Sequence, residues 1–159
     1  SLNRTQNSHV LQIRNNVPEE QAGLMWMCFG VPSFTPYVPF YANANDTDPS
    51  WSNTPLEFDM NSAYWMYRAL SMLVESHHAQ FIQDDLDYLT AAREQQHRLI
   101  DENDKAAQEL SGEDLTRFLT EKNYEMVADM KERTMGMINH FFVEGLKLSK
   151  LTFNMDANL

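Results

Sequence analysis

Residues 23–29 read Gly23-Leu24-Met25-Trp26-Met27-Cys28-Phe29, and this stretch decides the fold class. It carries no charge and is apolar at odd and even positions alike. That pattern suits a strand covered on both faces inside a layered fold. Upstream, Ser8 to Arg14 (SHVLQIR) alternates. His9, Leu11 and Ile13 share one face of a strand, and Val10, Gln12 and Arg14 share the other. The loop Asn15-Asn16-Val17-Pro18-Glu19-Glu20 is short, so residues 8–14 and 23–29 are expected to pair as antiparallel neighbours. Downstream, Pro32, Pro36 and Pro39 are set among aromatics in the segment from Pro32 to Tyr41. Proline cannot donate to a ladder, so an extended segment on the surface of the core is expected there, not a central strand. Residues 43–55 (NANDTDPSWSNTP) read as a polar loop.

All six prolines, and Gly23 and Gly30, lie before residue 59. From there to the end no proline occurs. A proline inside a helix costs about 3 kcal/mol, so its loss over so long a stretch signals helix. The expected class is therefore α+β. Residues 1–58 would hold a strand hairpin and the aromatic, proline-rich segment, and residues 59–159 a helical region. The first helix is expected at about 61–81, with Ala63, Met66, Tyr67, Leu70, Leu73 and Val74 on one face. A charged second helix follows at about 83–110, with a thin stripe of Leu86, Leu89, Ile100, Ala107 and Leu110. Ser111 with Asp114 resembles a weak capping box. A short helix near 115–119 and a long one at about 122–151 complete the chain, the last turning Tyr124, Val127, Ile138, Phe141 and Leu148 inward.

The chain has 159 residues, 43% hydrophobic and 22% charged, which is enough for one domain with a core. Its formal net charge of -11 argues against nucleic acid and against an anionic membrane surface, since both select clustered Lys and Arg. The single cysteine excludes a disulfide within the chain. No apolar run approaches the roughly 20 residues of a membrane helix, and no signal peptide is visible. Two tripeptides, Asn3-Arg4-Thr5 and Asn45-Asp46-Thr47, match a glycosylation acceptor, a pattern that chance supplies often.

Few residues suggest chemistry by themselves. Cys28 lies in an apolar strand and reads as a small buried hydrophobe, not as a reactive thiol. His77-His78 cannot chelate one ion easily, because adjacent helical residues point about 100° apart, and contact with a helix C-terminus accounts for them. Asn43, Asn45, Asp46 and Asp48 lack the alternation and glycine of a calcium loop, and Asx turns account for them. The runs Asp84-Asp85-x-Asp87 and Asp101-Glu102-x-Asp104 read as solvated helix faces. Arg4, Asn7 and His9 enter a strand expected to be buried, and an inward Arg4 would need a carboxylate.

The segment Arg4-Thr5-Gln6-Asn7-Ser8-His9-Val10-Leu11-Gln12-Ile13-Arg14 resembles the cysteine dipeptidases called dipeptidase A or D, relatives of choloylglycine hydrolase and penicillin V acylase. Trp26-Met27-Cys28-Phe29-Gly30, Phe34-x-Pro36-Tyr37-Val38-Pro39-Phe40-Tyr41 and Ser62-Ala63-Tyr64-Trp65 follow in the same order as in that family. The resemblance implies an αββα sandwich of the N-terminal-nucleophile type, of which the hairpin would be a piece. It implies dipeptide hydrolysis through a thioester on an N-terminal cysteine whose own α-amino group serves as base. The Leu2-Asn3-Arg4 context of Ser1 does not match that family's nucleophile strand. The start at Ser1 is thus read as a boundary cut into a longer polypeptide or a processed start. The nucleophile is expected outside this chain, which alone should be inactive. Arg4 is the candidate for substrate binding, and no metal and no cofactor is expected. A cytoplasmic setting and a homo-oligomer are expected, because a piece of a layered enzyme exposes apolar faces. The rival expectation is a non-enzymatic helical interaction module that docks partners through its aromatic loop.

Overall fold

A computed structural model describes residues 5–149. The order of elements is β1 (Asn7–Ile13), α1 (Glu19–Ala22), β2 (Gly23–Phe29), β3 (Val38–Tyr41), α2 (Pro49–Ser52), α3 (Ala63–Ser76), α4 (His78–Ala106) and α5 (Gly112–Leu148). The α+β class and the β1–β2 hairpin agree with the sequence reading. Asn7 pairs with Phe29 and Ile13 with Gly23, all antiparallel. Arg14 lies just beyond the strand, where its N–H still donates to Ala22 O at 3.0 Å.

Among the described residues the sheet has three strands in the order β1-β2-β3, so the two-stranded expectation is corrected. The proline-rich segment supplies the third strand, with Leu24 opposite Tyr41 and Met27 opposite Val38. It is buried along its length, not laid over the surface. Its backbone polarity explains how proline is tolerated. Tyr41 N–H donates to Asn123 Oδ1 at 2.8 Å, and Asn123 Nδ2 donates to Tyr41 O at 3.1 Å. Tyr41 therefore turns its backbone groups away from β2 and towards α5. Pro39, two residues earlier, shares that orientation, so its missing donor falls on the outer edge and costs no ladder bond. The Asn123 amide seals the same edge.

The two-sided cover of β2 is realised through alternation. Leu24, Trp26 and Tyr41 join one apolar cluster, with Ile100 and Ala107 near the end of α4 and Leu115, Leu119 and Met126 of α5. Met27, Phe29, Val38 and Phe40 join a second, with Tyr67, Leu70 and Val74 of α3 and Met130, Ile138 and Phe141 of α5. Because α5 runs along the outer edge of β3, it contributes to both clusters. Burial of β1 is overturned: every residue of the strand is exposed except the half-buried Ser8. The helices pack under β2 and β3, leaving Val10, Leu11 and Ile13 uncovered by the described residues.

The helical region follows the expected faces with different joints. The stretch at 61–81 breaks at His77, whose φ of −133° and ψ of 43° end α3 and start α4. No glycine or proline marks the break. The His77 carbonyl accepts from Gln80 N–H and Phe81 N–H at 2.9 and 3.0 Å, which satisfies the start of α4. The two final helices are one, because nothing between Leu119 and Lys122 interrupts the backbone ladder. Ser111 is its N-cap residue, though its hydroxyl makes no cap bond. The inner stripe of α4 is more polar than expected: Asp85, Gln96 and Asn103 are buried, and Leu86 is exposed. On α5, Val127, Ile138 and Phe141 are buried as expected, whereas Leu148 is exposed.

Candidate functional site

An open groove of about 1060 Å³ lies at the end of the sheet where β1 starts and β2 stops. Gln6 and Gly30 form its sheet end, α3 and α5 form its walls, and Phe58 and Met60 close one side. The sequence brings these together through a close approach at Gly30. Its backbone has φ +80°, and an added Cβ would sit 2.7 Å from Ser71 Oγ and 2.8 Å from Tyr67 O. Only glycine lets the chain leave β2 this close to α3. Gly30 N–H donates to Gln6 O at 3.0 Å, and Val31 N–H donates to Ser71 Oγ at 3.0 Å, which fixes both strand ends on the helix.

Arg68 and Glu75 line this groove, and they are the two charged residues of α3. Arg68 Nη1 donates to Gln6 Oε1 and, at 2.9 Å, to the Tyr64 hydroxyl. The guanidinium also lies 5.2 Å from the Tyr64 ring centroid. Its partners are thus neutral, and among the described residues neither Arg68 nor Glu75 belongs to an ion pair. The Nε and Nη2 edge, which can grip a carboxylate with two parallel bonds, has no partner among the described residues. Trp65, Met72, Met135 and Phe142 supply an apolar and adaptable lining. The sequence reading missed both charges. Their signal was their isolation in a helix otherwise apolar or uncharged.

Cys28 is placed as expected. It is fully buried, and Sγ lies 3.1 Å from Thr35 Oγ1. The Thr35 hydroxyl donates its own proton to Val31 O at 3.0 Å, so the thiol is the donor in the Cys28–Thr35 contact. Burial pushes its pKa up. Among the described residues no base contacts the thiol, and burial favours its protonated form.

The other candidates resolve into structure. His77 packs its ring on Phe81 and His78 packs on Phe34. His77 ends α3 as expected, but His78 begins α4, so the helix C-terminus accounts for only one of the pair. Asp48 accepts from Ser50 N–H at 2.8 Å and Asp46 from Thr47 N–H at 2.8 Å, as Asx turns require. The same loop docks on α5: Thr116, Thr120 and Tyr124, spaced one turn apart, donate to Asn43, Asn45 and Asp46 at 2.8, 3.2 and 2.7 Å. These oxygens are spent on the fold, and no cluster suited to a metal occurs among the described residues. The acidic runs are not wholly solvated: Asp85 is buried, and Asp104 pairs with Arg14 at 2.5 Å. Asn7 and His9 are exposed. Ser1 and Arg4 lie outside the described residues, although Gln6, two positions beyond Arg4, lines the groove. No described helix is long and apolar enough to cross a membrane.

Comparison with known proteins adds a family likeness. Residues 1–91 match the model of Peptidase family C69. Over 159 residues the chain is 46% identical to a probable dipeptidase of Latilactobacillus sakei, covering all of this chain and 33% of that protein. It is 31% identical over 156 residues to dipeptidase A of Lactobacillus helveticus, covering 97% of this chain and 32% of that protein. It is 30% identical over 155 residues to probable dipeptidase B of Lactococcus lactis subsp. lactis (strain IL1403), covering 98% and 32% respectively. The chain thus spans about a third of the length of the curated relatives it matches.

Proposed function

Because this chain belongs to peptidase family C69, we propose that it is the C-terminal part of a cysteine-type dipeptidase whose nucleophile lies elsewhere in the polypeptide. The observation that carries this reading is the 46% identity along the entire chain to a protein named as a probable dipeptidase. The reaction we envisage has two steps. A terminal cysteine thiolate attacks the dipeptide carbonyl, the C–N bond breaks, and the second amino acid leaves with a proton on its nitrogen. Water then cleaves the thioester, releasing the first amino acid and restoring the thiol. The chain described here would supply a wall of the substrate site through its groove, with Arg4 as a further contact.

In this reading the three-stranded sheet is part of a larger four-layered sandwich, and the exposed side chains of β1 are covered by the remaining polypeptide. We place the enzyme in the cytoplasm, a reducing compartment that suits a lone cysteine and a thiol nucleophile. Val143 and Leu146 are exposed apolar residues on α5 that suit contact with a second copy. A sedimentation mass equal to the monomer at every concentration would contradict that assembly.

The reading is tested by assaying release of free amino acids from dipeptides. The full-length polypeptide should hydrolyse them, and Cys28→Ala should retain that activity if it folds. The 159-residue chain alone should show none. Failure of the folded full-length protein on a broad dipeptide panel, or turnover by the isolated chain, overturns the proposal.

A further inference from the structure

We propose that Arg68 and Glu75 read the two charged ends of a zwitterionic dipeptide, Arg68 taking the carboxylate and Glu75 the ammonium. The inference rests on the dipeptidase reading and adds to it the residues that decide which peptides are accepted. Three observations carry it.

The first is the state of Arg68. Two neutral oxygens hold Nη1 and an aromatic face steadies the cation, yet its Nε and Nη2 edge has no partner among the described residues. A guanidinium held this way is oriented before any ligand arrives, so little side-chain freedom is lost on gripping a carboxylate. The second is the placement of Glu75. It lines the same groove from the same helix, and no described cation pairs with it. The third is length. Seven helical residues separate the two positions by about 10 Å along the axis. An extended dipeptide spans about 7 Å, since each residue covers roughly 3.3–3.6 Å. Oblique ion-pair contacts take up the remainder.

Besides the two charges the groove lining includes Trp65, Met72, Met135 and Phe142, with no further cation or carboxylate from α5. Apolar surface of that kind accepts side chains of varied shape, with methionine yielding to fit. The clamp thus selects for two free ends while leaving side-chain choice broad. A peptide whose carboxylate is amidated cannot accept the paired bonds from Arg68. One whose amine is acetylated offers Glu75 no cation.

The test uses the full-length polypeptide and the hydroxyethylene isostere of Ala-Phe, which keeps both charged ends and cannot be cleaved. Its C-terminal amide and its N-acetyl derivative are the comparison probes, and binding is read by calorimetry. On the wild-type protein, each blocked probe should bind about 10- to 100-fold more weakly than the free isostere. Arg68→Gln should weaken the free isostere by a similar factor and no longer distinguish it from the amide. Arg68→Lys should restore part of the discrimination. Glu75→Gln should likewise lose discrimination against the N-acetyl probe. The wild-type comparisons alone decide the matter if a variant fails to fold. Equal binding of free and blocked probes, or no binding of the free isostere, overturns the clamp. Dipeptide hydrolysis with blocked probes bound equally refutes the clamp and leaves the dipeptidase reading intact. Discrimination between the probes without any hydrolysis does the reverse.

Discussion

Asp104→Ala should destabilise the protein by about 3–5 kcal/mol, the range for removing one partner of a buried ion pair. Asp104 receives Arg14 Nη1 at 2.5 Å and Nη2 at 3.2 Å, with the two side chains only 9% and 15% exposed. The Tyr41 hydroxyl donates to Asp104 Oδ1 at 3.0 Å, and Arg14 Nη2 also donates to Gln21 O at 2.5 Å. The pair therefore ties the end of β1 to the end of α4 across the sheet. Removing the carboxylate strands a guanidinium that is already short of one partner, since Arg14 Nε is buried without a described acceptor. Replacing both partners, as Arg14→Met with Asp104→Leu, should recover most of the loss, because the desolvation cost of both charges disappears. A shift in denaturant midpoint at unchanged slope measures each effect. A loss below about 1 kcal/mol for Asp104→Ala would mean the pair behaves like an exposed surface bridge.

Asp85→Leu should act in the opposite direction and depend on pH. Asp85 is fully buried on α4, and neither carboxylate oxygen has a described partner. Burial pushes its pKa up from 3.8 to about 7. In the unfolded chain the group ionises near its ordinary value, so the native state holds a proton that the unfolded state gives up. Stability should therefore be unaffected below pH 3.8, fall as the pH rises from there to about 7, and stay reduced above. Three pH units at about 1.4 kcal/mol each set the loss at roughly 4 kcal/mol. Asp85→Leu should remove that slope, raising stability by about this amount at pH 8 and changing it least near pH 4. Parallel curves of stability against pH for the two proteins would show that the carboxyl does not titrate as its burial requires.

The hairpin was legible because its signals are local. Alternation in Ser8–Arg14 and the all-apolar stretch from Gly23 to Phe29 each need only neighbouring residues, and β2 has the predicted ends. The third strand was not legible. Three prolines count against a central strand, but Pro39 is tolerated through the direction its nitrogen faces, and that depends on Asn123 far along the chain. The break at His77 lacked any glycine or proline to announce it. The buried polar stripe of α4 violated the rule that buried positions are apolar, since tertiary packing placed Asp85, Gln96 and Asn103 inward.

The candidate site divides along the same line. That Cys28 is a buried structural thiol followed from its apolar neighbours alone. Arg68 and Glu75 went unread because the groove that gives them meaning is assembled from Gln6, Gly30, α3 and α5. Their pattern within α3 reads as two surface charges until the turn at Gly30 brings the sheet ends beside them.

The central claim is that Cys28 is structural and that a thiol outside this chain performs the chemistry. Its most direct test is alkylation of the native full-length polypeptide with iodoacetamide, following dipeptidase activity and the modified cysteine together by peptide mass spectrometry. The account predicts that activity falls in step with modification of one cysteine outside these 159 residues, while Cys28 stays unmodified until the protein is unfolded. Modification of Cys28 in the native protein, in step with the loss of activity, would contradict it.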